Sequence, residues 1–417
     1  MPFTDSHHLY FPTAPWTGPR DNCIMILFPF HLHHPCTTSE MAGRVTVEAP
    51  INIAFIKYWG KRAGGERLIL PTNDSFSITL STAPFRSRTC VELCDDIEDD
   101  VLILNGELVN IQEAARIQSV LSHVRGTSLP ELRNKRVRIV SENNFPTAAG
   151  MASSASGFCA LAAALVRVFK STANVSALAR LGSGSACRSA FGGFVIWHKG
   201  EEEDGSDCVA SQFVGESYWP EMQIMCAVLR GEKKEVSSTA GMQQSVKTSP
   251  LMAKRIAVVV PERMKIVSAA IKSRDFATFA EIAMAESDDL QEICATTVPK
   301  IVYATEMSYA LIRLVKAYNA RKGRTALAYT FDAGANCFFF VLRSDLPEVV
   351  TMLIEHFPTP LDKFFFSDQS LLEEVKSTTL ASEYKTLIDY PKVPFEMLLQ
   401  SPVGSGVRYL EETESFN

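Results

Sequence analysis

Residues 326–342 read Ala326-Leu-Ala-Tyr-Thr-Phe331-Asp332-Ala333-Gly334-Ala335-Asn336-Cys337-Phe-Phe-Phe-Val-Leu342, two apolar runs on either side of a short turn. Short runs rich in aromatic and β-branched residues, separated by turn formers, predict two strands, Ala326 to Phe331 and Cys337 to Leu342. Upstream, Lys300 to Arg321 places Ile301, Thr305, Ser308, Ile312, Val315 and Tyr318 or Asn319 on one helical stripe, and downstream Pro347 to Phe357 reads as another helix. Helix, strand, turn, strand, helix is the order that a split βαβ layer produces.

Working toward the N-terminus, strand character returns at Gln223 to Leu229, after a loop marked by Gly200, the acidic run Glu201 to Asp204 and Gly205. A domain boundary is expected there, giving an N-terminal domain over 41–222 and a C-terminal domain over 223–417. Ser154 to Phe169 is a long helix rich in alanine and leucine, expected to be buried on most sides. Strands are expected at Arg44 to Glu48, Ile51 to Tyr58, Ser75 to Leu80 and Val137 to Val140, with a helix at Glu113 to Val124. The class is therefore α+β. Residues 1–40 differ, because Pro2, Pro12, Pro15, Pro19, Pro29 and Pro35 leave no room for a regular element. They are expected to be a disordered extension, with Met41 as an alternative start. His31, His33, His34 and Cys36 are metal-binding residue types, but such a tail supplies no second shell to orient them.

Composition narrows the function classes. A chain of 417 residues is long enough for about two or three domains with cores that need no covalent staples. No apolar stretch approaches the roughly 20 residues needed to cross a bilayer, so no membrane partner is expected. A net charge of -6 without a basic stripe argues against nucleic acid and requires any anion site to be local. The ten cysteines have no repeating spacing, and Cys90 and Cys94 lack a second pair to complete a zinc site. Free thiols in a reducing compartment, the cytosol, are the expectation.

Four segments carry chemistry. Pro146-Thr-Ala-Ala-Gly150-Met-Ala152-Ser153-Ser154-Ala-Ser156-Gly157 precedes the long helix. Small residues admit a polyphosphate, and free amides with the positive helix end attract it, although serine is also an ordinary N-cap. Ala49-Pro-Ile-Asn52-Ile-Ala-Phe-Ile-Lys57-Tyr58-Trp59-Gly60-Lys61-Arg62 is a strand whose lysines bracket two aromatics, either presented to phosphates or a carboxylate or simply a basic solvent-facing end. Gly182-Ser183-Gly184-Ser185-Ala-Cys-Arg188-Ser189 reads as a flexible, hydroxyl-rich segment delivering one arginine, whose planar fork grips carboxylate or phosphate, or else as a linker. Asp332, in the turn of the opening hairpin, either acts in chemistry or bonds its own backbone.

Taken together and in this order, the four segments resemble the mevalonate diphosphate decarboxylases, relatives of galactokinase, homoserine kinase, mevalonate kinase and phosphomevalonate kinase. Asn143-Asn144-Phe145-Pro146, Ser237-Ser238-Thr239 before Gly241-Met242, and Gly404-Ser-Gly-Val-Arg408-Tyr409 are similar as well. The resemblance runs from about residue 44 to the end. It implies a ribosomal-S5-like N-terminal domain against a ferredoxin-like C-terminal domain, usually as a homodimer, using ATP and magnesium. It implies that Asn144, Gly150, Ala152, Ser153, Ser154 and Ser156 form the ATP site, with magnesium held mainly through ATP phosphates and by Ser154. Tyr58, Lys61, Ser183, Ser185, Ser237 and Ser238 would contact the diphosphate of mevalonate 5-diphosphate. Arg188, helped by Asn52, would hold its carboxylate, and Asp332 would face its C3 hydroxyl with Lys57 and Trp59 beside it. The alternatives are a kinase of the same superfamily that stops at a phosphorylated mevalonate, and a nucleic-acid-binding module suggested by fold analogy alone.

Overall fold

The computed structural model of the chain describes residues 43–64, 67–83, 85–145, 153–229 and 235–411. The expected N-terminal extension, Gly150 and Ala152 lie outside them, as does the side chain of Ser153. The chain first forms β1 (Arg44–Pro50), β2 (Asn52–Ile56), β3 (Ser75–Thr79), β4 (Arg86–Cys94), β5 (Val101–Leu104), β6 (Glu107–Val109), α1 (Ala115–Gly126), β7 (Arg136–Asn143), α2 (Ser153–Val168), α3 (Val175–Gly182), β8 (Phe194–Trp197) and β9 (Ala210–Val214). It continues as β10 (Met222–Val228), α4 (Ser238–Thr248), α5 (Met252–Lys254), α6 (Val260–Ser273), α7 (Phe276–Thr296), α8 (Glu306–Lys322), β11 (Leu327–Phe331), β12 (Cys337–Leu342), α9 (Leu346–His356), β13 (Phe364–Phe366), α10 (Ser370–Ser377), β14 (Met397–Pro402) and β15 (Arg408–Tyr409).

The strands form three sheets, ordered β15-β1-β4-β7-β5-β6, β2-β3-β8-β9 and β11-β12-β10-β14-β13. The five-stranded sheet is covered on both faces, which explains why β12 is a continuous apolar run rather than an alternating one. Its successive side chains point to opposite faces. Phe338 and Phe340 enter a core shared with Phe55, Phe76 and Phe194, and Phe339 and Val341 enter a second core under α8 and α9. The opening hairpin is real, with Phe331 paired to Cys337 and residues 332–336 as its turn. A third core lies between the six-stranded sheet and α2, whose Ala160, Ala162, Ala163 and Ala164 are wholly buried and allow close approach.

Three sequence readings shift. The helix expected from Lys300 begins at Glu306, because the Thr305 hydroxyl accepts the Ser308 amide in a reciprocal cap. Its buried stripe is consequently Met307, Leu311, Leu314, Val315 and Tyr318, and Ile312 is only half-buried. The strand expected to run to Tyr58 ends at Ile56, because the Lys57 amide is taken by the Glu286 carboxylate instead of a neighbouring strand. The segment expected to be flexible around Arg188 is a buried 3-10 helix, Gly184–Ala190.

Candidate active site

Where β2 ends, the chain turns into a cleft of about 620 Å³ that collects Lys57, Tyr58, Trp59 and Lys61 from one segment, Arg188 from another and Asp332 from a third. Gly60 makes the turn possible: its φ is +111°, and a Cβ there would meet the Thr72 hydroxyl at 2.5 Å. Trp59 is anchored on the far side, its indole Nε1 donating to Ser245 Oγ at 3.0 Å.

The Lys57 ammonium donates to Asp332 Oδ1 at 2.8 Å and to the Ala54 carbonyl at 2.6 Å. Lys57 is 2% exposed and Asp332 46% exposed, so the lysine is the buried anchor and the carboxylate the face offered to the cleft. Burial pulls the Lys57 ammonium below its usual value, and the charge and hydrogen bond of Asp332 oppose that pull.

Arg188 is equally constrained. Its Nε donates to Asn52 Oδ1 at 3.1 Å and its Nη1 to Ser75 Oγ at 2.8 Å, and its guanidinium lies 5.7 Å from the centre of the Trp197 ring. Asn52 is held in turn, donating to the Ser185 carbonyl at 3.0 Å and to Ser189 Oγ at 2.8 Å. Burial lowers the Arg188 pKa, but a guanidinium starts so high that it stays charged. Trp197 also packs edge-on against Tyr58, ring centroids 4.6 Å apart. Burial raises the Tyr58 phenol above its ordinary range, which keeps it a neutral hydroxyl.

Two helix N-termini border the same cleft. Ser154, in the first turn of α2, lies 3.3 Å from Ser183 Oγ. Ser237 caps α4 by accepting the Ala240 amide at 3.2 Å, and Ser238 and Thr239 line the cleft beside it. A helix start offers unpaired amides and partial positive charge, suited to phosphoryl oxygens. Asp332 is the one carboxylate among the described lining residues, and no cluster of three metal-ligating side chains occurs among the described residues. That set fits a divalent ion carried in by a polyphosphate better than one held by the protein alone.

The structure therefore brings Lys57, Tyr58, Trp59, Lys61, Ser154, Ser183, Ser185, Arg188, Ser237, Ser238 and Asp332 to one cleft, with Asn52 directly behind Arg188. Ser156 and Asn144 are not among its lining residues. The Ser156 hydroxyl lies 2.7 Å from Ser87 Oγ under β4, and Asn144 Oδ1 accepts the Arg86 amide at 2.8 Å. Sequence reading missed Arg116, which lines the cleft from α1 and donates to Thr239 Oγ1 at 3.3 Å, and Ser75, which supports Arg188. A lone arginine in a polar helix carries no local signal; Ser75 becomes visible only when β3 is seen beside β2.

Comparison with known proteins agrees with the geometry. Residues 49–210 match the family described as diphosphomevalonate decarboxylase-like N-terminal domain, and residues 224–410 the mevalonate 5-diphosphate decarboxylase C-terminal domain. The chain is 47% identical over 333 residues to diphosphomevalonate decarboxylase of Aspergillus fumigatus, covering 76% of this chain and 81% of that one. The solved mevalonate diphosphate decarboxylase from Trypanosoma brucei is 76% identical, with a TM-score of 0.88 over 89% of this chain and 99% of that one. A solved structure described as MDDEF in complex with MVAPP, AMPPCP and magnesium is 31% identical, with a TM-score of 0.70 over 88% of this chain and 99% of that one.

Proposed function

The chain belongs to the diphosphomevalonate decarboxylase family, and on that premise we propose that its cleft converts mevalonate 5-diphosphate and ATP into isopentenyl diphosphate, ADP, phosphate and carbon dioxide. The fold is correspondingly the α+β fold of that family, with an S5-like and a ferredoxin-like part. The observation that carries the reading is that a lysine-paired carboxylate and an arginine fixed by two hydrogen bonds open onto one cleft.

Hydroxide is a poor leaving group, so the C3 oxygen is phosphorylated before it departs, and ATP is a reagent. Phosphoryl transfer calls for positioning and charge neutralisation more than covalent chemistry. Asp332 orients the C3 hydroxyl and takes its proton late in the transfer, since a carboxylate is far too weak a base to remove an alcohol proton beforehand. Lys57 holds that carboxylate in place at the edge of the cleft. Arg188 holds the substrate carboxylate in line with the breaking bond, and its bonds to Asn52 and Ser75 stop it from following the leaving carbon dioxide.

The substrate diphosphate is assigned to Tyr58, Lys61, Ser183, Ser185, Ser237 and Ser238, and the nucleotide phosphates to the start of α2 with Ser154. Magnesium would be held chiefly by ATP oxygens, with Ser154 as the nearest protein hydroxyl, and would neutralise phosphate charge. The binding of MVAPP, AMPPCP and magnesium by a relative supports these assignments. A cytosolic homodimer completes the reading; no helix among the described residues is long and apolar enough to cross a membrane.

Incubation with mevalonate 5-diphosphate and ATP, following ADP, phosphate and carbon dioxide together, tests the proposal. Equimolar release of all three is expected. ADP without carbon dioxide would make the chain a kinase and overturn it.

A further inference from the structure

Two consecutive polar residues at the middle of α7, Glu286 and Ser287, are buried to 0% and 1% exposure. Neither lines the cleft, yet one holds the main chain of Lys57 and the other that of the residue just before Asp332. Glu286 Oε2 accepts the Lys57 amide at 3.0 Å, and Ser287 Oγ accepts the Phe331 amide at 3.1 Å, one residue before Asp332. Arg255 completes the grip. It donates to both Glu286 oxygens, at 3.1 and 2.7 Å, and its Nη2 donates to the Lys57 carbonyl at 3.1 Å. The N–H of Lys57 is thus held by Glu286 and its C=O by Arg255, with Asn73 Nδ2 donating to the same carbonyl at 3.1 Å, and Arg263 reinforces the buried ion pair at 2.5 Å.

β2 and β11 belong to different sheets, so no ladder fixes the distance between Lys57 and Asp332. Stability alone does not explain the arrangement, because a buried ion pair commonly gains nothing over apolar residues of the same volume. What it supplies is a fixed geometry at two strand ends that converge on one reaction. We propose that Glu286 and Ser287, with Arg255, are positioning residues that set the separation of Lys57 and Asp332 for the proton and phosphoryl transfer described above. The inference rests on that functional reading, and it deepens the reading by naming residues outside the cleft on which turnover depends.

The test compares wild type with Ser287→Ala and Glu286→Gln by steady-state kinetics across pH, by thermal melting and by crystallography. Ser287→Ala removes one acceptor and little volume, so a folded protein is expected with KM nearly unchanged and kcat down about tenfold to a hundredfold, the scale of a misplacement near 1 Å. Lys57 is faced by Asp332 and Cys337 of the hairpin, Glu286 of α7, Arg188 of the 3-10 helix and Arg255. Removing the Glu286 charge therefore lowers the Lys57 pKa further, and the basic limb of the kcat profile of Glu286→Gln moves to lower pH. A merely structural defect would lower the melting temperature and leave that limb in place. The Lys57 Nζ to Asp332 Oδ1 distance, 2.8 Å in the native chain, is expected to exceed hydrogen-bonding range in at least one variant. Wild-type kcat in a folded Ser287→Ala, together with an unmoved Lys57–Asp332 pair in both variants, would overturn the proposal. Absence of turnover in the wild type would instead sink the functional reading, and the distance readout would still decide this one.

Discussion

Lys57 and Asp332, 275 positions apart in the chain, meet at 2.8 Å with the lysine buried and the aspartate half-open to the cleft. The contact joins the end of β2 to the β11–β12 turn, so it forms only when the two halves of the fold are assembled. Replacing Asp332 by Asn keeps the shape and removes the charge. Turnover should fall about 10²- to 10⁴-fold, the usual contribution of a positioned proton acceptor, while KM for mevalonate 5-diphosphate changes little. Single-turnover formation of ADP measures the step directly, and near-normal turnover would remove Asp332 from the mechanism.

The same pair makes a prediction about pH. Burial lowers the Lys57 pKa below the ordinary 10.5, with Asp332 opposing it. Between the folded pKa and 10.5 the unfolded chain binds more protons at this position than the folded one, so the contribution of Lys57 to stability rises with pH through that window. Urea midpoints of wild type minus those of Lys57→Met, taken at increasing alkaline pH, should therefore climb. A difference that falls with pH would mean that the pair, and not burial, dominates. In Asp332→Asn the opposing charge is gone, so the window should widen toward neutral pH.

Arg188 makes two directed bonds that a single ammonium cannot reproduce, to Asn52 through Nε and to Ser75 through Nη1. Arg188→Lys should lower kcat/KM about a hundredfold or more, equivalent to about 3 kcal/mol of transition-state stabilisation. Asn52→Ala should cost nearly as much, because it frees the same guanidinium and the Ser185 carbonyl together. The double variant should lose far less than the sum, since both changes break one unit. Strict additivity in this cycle would show that Asn52 acts independently of Arg188.

Local pattern carried the parts of this site that have local causes. The β11–β12 hairpin was legible because apolar runs around a turn have few other solutions, and α2 because alanine and leucine persist for over four turns. Arg188 was legible as a functional residue, but its setting was misread: serine and glycine signal flexibility, whereas here small side chains let a 3-10 helix pack beneath Tyr58 and Trp197. The clamp on Lys57 left almost no trace. Glu286 sits in Ala285-Glu-Ser-Asp-Asp289, which reads as a solvated stretch of helix, and only the approach of Arg255 and Arg263 makes it an interior group.

Gly184 ties that small-residue packing to substrate binding. A Cβ at this position would lie 2.8 Å from Tyr58 Cε1 and 2.9 Å from Trp197 Cη2, closer than carbon atoms tolerate, and the two rings pack edge-on against each other. Gly184→Ala must displace one of them. Trp197 is fully buried in its own apolar cluster, so Tyr58, which borders the cleft, is the ring that yields. Overpacking of this kind costs about 1–3 kcal/mol, which should appear as a lowered melting temperature. If Tyr58 binds the diphosphate, its displacement should also weaken mevalonate 5-diphosphate binding about tenfold, equivalent to about 1.4 kcal/mol. Calorimetric titration with ATP absent separates this from any effect on the nucleotide. Unchanged affinity in a destabilised Gly184→Ala variant would take Tyr58 out of the substrate site.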